Sequence, residues 1–234
     1  MREQFANLLC QNFYKFIDPP ADPTRRDIIP GQLVVAHNVY PTEQPWIIEV
    51  LHYHPTNESL CQYRVKRYSA SEDRSHMPIA ELGLRMDENY YLYIGKERPL
   101  IVVREIRSRW LNPLHDEGLV ACVPIFSFKP RHNEVFRLKS MGFCYPNLFY
   151  LPSDPNGCTE EGAARFELMQ PIARRALHRF LKGSPSQPVA LSDGAFALFI
   201  NHLGRYLLEK NLDEQICQDI DSYHDLVLEA VGRV

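Results

Sequence analysis

The sequence predicts an α+β protein, with a β-rich centre flanked by helices at both ends, and two changes in hydrophobic period carry that expectation. Between Gln32 and Tyr145 the apolar residues come in short runs rich in Val, Ile, Tyr and Phe, broken by Pro, Gly, Asn and Asp. That is the pattern of strands separated by turns. Before Asp18 and after Phe166 the apolar residues recur at intervals of three and four, the spacing of one helix face.

Taken in order, Arg2 to Ile17 sets Phe5, Leu8, Leu9, Phe13, Phe16 and Ile17 on one helical stripe, and Asp18-Pro19-Pro20 stops it. This amphipathic helix needs a surface to lie on. Asp18 to Arg26 reads as a linker, so residues 1–29 form a helix and its connection. The centre, residues 30–182, contains the strand-like runs Trp46-Ile47-Ile48-Glu49-Val50-Leu51 and Tyr90-Tyr91-Leu92-Tyr93-Ile94. Lys182 to Pro188 is a second linker. Ser192-Asp193 then caps a helix through Leu208, with Phe196, Phe199, Leu203 and Leu207 stacked on it. A last helix from Leu212 to Val231 carries Ile216, Ile220, Tyr223 and Val227 on one face, so residues 183–234 are read as helices packed on the centre.

At 234 residues and 45% apolar content the chain can bury a full core. A net charge of −3 and a pI near 6.3 exclude a surface that grips nucleic acid throughout. Any such contact has to come from a local basic patch. Cysteines 10, 61, 122, 144, 158 and 217 include no C-x-x-C pair, which suits reduced thiols in the cytoplasm. Nothing resembles a signal peptide or a membrane-spanning run, and a cytoplasmic protein without membrane contact is expected. His52 and His54 project from one face of a strand, but no Cys, Asp or Glu at ligand spacing completes a set, so neither metal nor cofactor is expected. Glu160 and Glu161, with Asp154 nearby, read as a solvated loop and not as an acid/base pair.

Four segments carry more specific information. They are Pro30-Gly31-Gln32-Leu33-Val34-Val35-Ala36, Arg98-Pro99-Leu100-Ile101-Val102-Val103, Val123-Pro124-Ile125-Phe126 and Glu167-Leu168-Met169-Gln170. In this order they resemble the strand segments of PemK/MazF-type toxins. The resemblance implies an SH3-like antiparallel β-barrel over residues 30–182. It also implies a metal-independent endoribonuclease ancestry, in which an arginine and a Thr or Ser hydroxyl stabilise charge on phosphorus while the substrate's own 2′-hydroxyl attacks. Arg98 fills the arginine's place, because a guanidinium gives two parallel donors to phosphate and keeps its charge.

Two departures from the family stand out. Residues 42–95, where the family has a short loop, are long and apolar enough to form a β insertion. The hydroxyl position is occupied by Phe126. Ser127 is adjacent, yet a hydroxyl displaced by one residue on a strand points to the other face unless a bulge resets the register. Loss of one preorganised donor at a developing charge costs roughly 10² to 10³ in rate. Arg98 could instead be a strand-end arginine paired with Glu97 or Glu105.

Basic and aromatic residues interleave at Arg104, Arg107, Arg109 and Trp110 and again at Phe128, Lys129, Arg131, His132, Phe136, Arg137 and Lys139. These are candidates for single-stranded RNA, with a solvated hairpin face as the alternative. The last helix is acidic, with Asp213, Glu214, Asp219, Asp221, Asp225 and Glu229. By resemblance to antitoxin tails it is a candidate inhibitor in cis of the segment around Arg131 and Arg137. Two function classes follow. One is a catalytically degenerate binding or inhibitory component of a toxin-antitoxin or phage-defence module, including CRISPR-linked anti-sigma roles, with an antitoxin-like, protease or sigma-factor-like partner or a second copy of itself. The other is an active endoribonuclease using Arg98 and Ser127.

Overall fold

The computed structural model describes residues 13–18, 28–39, 46–69, 77–85, 88–106, 118–153, 160–179 and 188–232. In chain order the elements are β1 (Tyr14–Phe16), β2 (Leu33–Val39), β3 (Trp46–His52), β4 (Gln62–Arg67), β5 (Tyr90–Leu92), β6 (Gly95–Ile106), β7 (Leu119–Ser127) and α1 (Glu134–Met141). There follow β8 (Leu148–Leu151), β9 (Gly162–Arg165), β10 (Gln170–Ala173), β11 (His178–Arg179), β12 (Val189–Leu191), α2 (Asp193–Leu208) and α3 (Glu214–Gly232). The chain divides into two compact units, Met1–Asn38 with Glu97–Val234, and Val39–Lys96.

In the larger unit the alternation of residues along β2, β6 and β7 buries both faces of one antiparallel sheet. Leu33, Ile101, Val123 and Ile125 belong to a core with Phe149, Phe166, Leu198, Phe199, Leu203 and Ile220. Their neighbours Val34, Ala36, Leu100, Val102, Val120 and Cys122 join Ile172 and Leu177 in a second cluster on the opposite face. Period-two patterning with both parities apolar is what a sheet covered on both sides requires.

The second cluster is enclosed by a change of partner along one short segment. β10 pairs with β7 from Gln170↔Cys122 to Ala173↔Leu119. A 3-10 turn at Arg174–Ala176 follows, and β11 then pairs with β2 through His178↔Val35 and Arg179↔Val34. Since β6 lies between β2 and β7 in the order β11-β2-β6-β7, the sheet must curl for so short a segment to reach both. Beyond β10, the other half of the same β7 edge pairs with β9, which pairs with β8.

The helices cover the first face. Ser192 caps α2 by accepting the Ala195 N–H at 3.3 Å, as the sequence predicts, and the helix buries Ala195, Leu198, Phe199 and Leu203. Asn201 on α2 accepts the Asp213 N–H at 2.7 Å, fixing the approach to α3. Two expectations are corrected. Tyr14–Phe16 is a strand paired with β12, not the end of a helix, while residues 2–12 of that expected helix lie outside the described residues. Glu134–Met141, inside the strand-like stretch, is helical, with the Asn133 side chain accepting the Phe136 N–H at 2.8 Å.

The smaller unit holds a three-stranded antiparallel sheet in the order β4-β3-β5. Trp46 pairs with Arg67 and Leu92, and Ile48 with Val65 and Tyr90. Glu49 is buried and accepts from Arg64 Nε at 2.7 Å and Lys66 Nζ at 3.0 Å. Burial pushes its pKa up, but those two cations outweigh the desolvation and hold it below the ordinary carboxylate value.

Candidate functional site

Leu100 on β6 pairs with Pro124 on β7. Continuing that register by two residues sets Arg98 against Phe126, and the two side chains meet: the Arg98 guanidinium carbon lies 4.0 Å from the Phe126 ring centroid. A second guanidinium, from Arg165 at the end of β9, lies 5.1 Å from the same centroid. Arg165 also donates to Glu167 through Nε at 2.7 Å. An aromatic face beneath two cations is electrostatically favourable. It offers no hydrogen-bond donor to a phosphoryl oxygen.

Ser127 stays on the opposite face. The β7–β9 ladder runs regularly through Ile125↔Ala164, Phe126↔Ala163 and Ser127↔Gly162, so no bulge turns the hydroxyl toward Arg98. The irregularity between β6 and β7 falls at Val102/Arg104, several residues away. Strand spacing here is fixed by Gly162, whose added Cβ would lie 2.4 Å from the Phe126 carbonyl oxygen. Of the two alternative partners for Arg98, Glu97 and Glu105, Glu105 binds Arg174 at 3.0 Å.

The basic segment after β7 folds into a turn and α1. The rings of Tyr150, Phe128, Phe136 and Tyr145 follow one another at centroid separations of 6.2, 5.6 and 5.2 Å, and His132 packs against Phe128 and Phe136 at 5.7 and 5.1 Å. Lys129 and Arg131 are exposed, while Lys139 is half-buried on α1. His132 Nδ1 accepts the Lys129 N–H at 3.0 Å, making it a turn anchor. Arg137 is committed too. It contacts Glu161 at 3.1 Å and lies 6.0 Å from the Phe128 centroid. Glu161 also accepts from the Tyr150 hydroxyl at 2.9 Å, so this carboxylate is a structural link, contrary to the solvated loop expected for it. Burial and the adjacent Glu161 push the Tyr150 hydroxyl pKa up. Arg107, Arg109 and Trp110 lie outside the described residues, and Arg104 lies on β6.

The acidic helix α3 packs against α1. Its Asp221 is bound bidentately by Arg205, at 2.7 and 2.8 Å, which holds its carboxyl below the ordinary range. Arg205, Asp221, His202, His224 and Tyr206 line a cleft of about 230 Å³ with Phe143, Pro146 and Ile220. His54 Nδ1 accepts the Asn57 N–H at 3.1 Å, a turn contact. Among the described residues no cluster of three or more His, Cys, Asp or Glu could hold a metal, and no helix is long and apolar enough to cross a membrane.

No protein-family model, no curated protein and no solved structure matches this chain.

Proposed function

We propose that this chain is a PemK/MazF-like barrel that has given up RNA cleavage and acts by holding a protein partner. The carrying observation is the pairing of Arg98 with Phe126 at 4.0 Å: the position across from the candidate arginine is filled by a ring without a donor, and Ser127 faces away. The order β11-β2-β6-β7-β10, with a 3-10 turn linking its ends, supports the SH3-like reading. Exposed Leu207, Leu208 and Leu212 near the end of α2, with Leu226 and Leu228 on α3, support added contact surface.

The test is an assay of purified protein on single-stranded RNA without divalent metal. The expected result is no specific cleavage, with cleavage appearing in Phe126→Thr, where a hydroxyl is restored beside Arg98. Rapid cleavage by the unmodified protein that disappears in Arg98→Ala would replace this reading with that of an active endoribonuclease.

A further inference from the structure

The cleft at His202 lies among α2, α3 and the turn after α1, on the helical side of the sheet. Arg98 and Phe126 share strand parity with the second cluster, on the other side. The two sites are therefore separate. His202 is 5% exposed, and its Nε2 faces the backbone carbonyls of Leu148 and Tyr145. Carbonyls only accept, so Nε2 carries the proton and Nδ1 is left as a bare acceptor. Nδ1 is buried with no partner. A buried polar atom that the chain itself leaves unpaired calls for a donor from outside it, and the ring holding this one lines a cleft.

Size, walls and charge narrow the ligand. The cleft holds about 230 Å³, and a cavity of about 150 Å³ takes a benzene ring, so two fused rings fit. Phe143 and Tyr206 supply aromatic walls. Phe143 has a left-handed φ of 55° at the end of α1, where its N–H bonds to the Ser140 carbonyl and that of Cys144 to the Lys139 carbonyl. This helix-ending motif ordinarily takes glycine. The phenyl ring kept there packs 5.2 Å from the His202 ring. The charges lining the cleft are spent locally: Arg205 binds Asp221 bidentately, and His224 contacts Asp225. A charged ligand would be buried without a counter-charge, so a neutral one is selected. Of the five guanidinium N–H donors, three go to Asn211 and Asp221, which leaves two for a ligand carbonyl. Arg205 stands three residues from His202 on α2, the spacing that sets side chains next to each other.

We infer that this cleft binds a neutral heteroaromatic lactam, an oxo-purine or oxo-pyrimidine base, whose ring N–H donates to His202 Nδ1 while the adjacent carbonyl accepts from Arg205. Such a base arrives free or as an unpaired nucleotide of RNA. The site goes beyond the partner-holding reading above and does not depend on it.

The probes are 9-methylhypoxanthine, with a single lactam N–H, and 1,9-dimethylhypoxanthine, in which a methyl group replaces that hydrogen. Binding to the full chain is read by nitrogen NMR of the histidine rings, the His202 resonances being assigned by their loss in His202→Gln. The first probe is expected to move the His202 Nδ1 resonance upfield, as a donor to a bare imidazole nitrogen does. It should bind at least about ten-fold tighter than the second, which cannot donate. Arg205→Lys keeps a cation beside Asp221 but removes the fork, and should weaken the first probe by about ten-fold. The two probes act on the unmodified chain, so the test does not hang on that variant. Equal affinity of the two overturns the inference and reduces the cleft to an apolar hollow. So does an Nδ1 resonance that stays in place at millimolar probe, which leaves an ordered water as its partner. Displacement of the probe by oligouridine would identify the source as single-stranded RNA, and failure to displace it a free base; the lactam recognition stands in both cases.

Discussion

At the scale of single residues, burial decides most of the chemistry. The neutral thiol of Cys122, in the cluster between the sheet and β10, is held by desolvation with its pKa pushed up to about 12, so it acts as an apolar filler. His202 is the contrasting case. Its Nε2 lies 3.1 and 3.3 Å from the carbonyls of Leu148 and Tyr145, and Nδ1 is buried without a partner. Desolvation lowers its pKa to about 4, against the favourable effect of those carbonyls. The unfolded chain therefore takes up the proton first as pH falls below about 6.5, and stability is lost from there down toward pH 4. The expected loss is roughly 3 kcal/mol at most. Urea unfolding at several pH values should show a shallower decline in His202→Gln, which keeps a donor for the carbonyls and does not titrate. An unchanged slope would assign the acid sensitivity elsewhere. The Arg98–Phe126 contact is legible in the sequence because two segments and one register suffice to derive it. Arg165 is not legible as a site residue, since it reaches Phe126 from β9, after the α1 and β8 excursion.

At the scale of elements, local signals suffice where they are complete. The cap at Ser192 and the spacing of Phe196, Phe199 and Leu203 define α2 from the sequence, whereas Leu207, expected on the same stripe, is exposed. Strand β3 follows its apolar run. Two elements escape because the deciding interaction is not local: Tyr14–Phe16 has helical spacing but pairs with Val189–Leu191, and α1 is a short helix among aromatic residues, marked only by Asn133 before it and Gly142 after it. The packing of these helices yields a contrast between two glycines. A Cβ on Gly142 would lie 2.6 Å from Val227 Cβ, close to the α3 backbone, whereas one on Gly204 would meet the far end of Leu212, at 2.6 Å from Cδ1. Leu212 is exposed and can swing aside. Gly142→Ala should therefore cost about 1–3 kcal/mol by prising α3 from α1. Gly204→Ala should be neutral or stabilise by up to about 1 kcal/mol through helix propensity. Midpoints of denaturant unfolding will separate the two, and equal losses would show that Leu212 is as fixed as Val227.

At the scale of the whole molecule, the question is how far the two units depend on each other. Both hydrophobic clusters of the larger unit are built from residues before Asn38 and after Glu97. The strands that bound the smaller unit, β2 and β6, are hydrogen-bonded neighbours, so a tight hairpin could join them without stretching the sheet. A long insertion between adjacent antiparallel strands adds little closure entropy, because that cost grows only as the logarithm of loop length. Replacing residues 40–95 by an Asn-Gly turn should therefore leave a chain that unfolds in one cooperative transition, with near-ultraviolet circular dichroism of the ordered aromatic core around Phe149 and Phe199. A two-residue turn of this type matches the twist of antiparallel strands. By contrast, truncation after Lys210 removes Cys217, Ile220 and Val227 from the buried set and should abolish cooperative unfolding. The acidic helix is thus a structural member, and its charges are better probed by substituting the exposed Asp225 and Glu229 than by deletion. A turn variant without cooperative unfolding would show that the larger unit needs the smaller one to reach its native state.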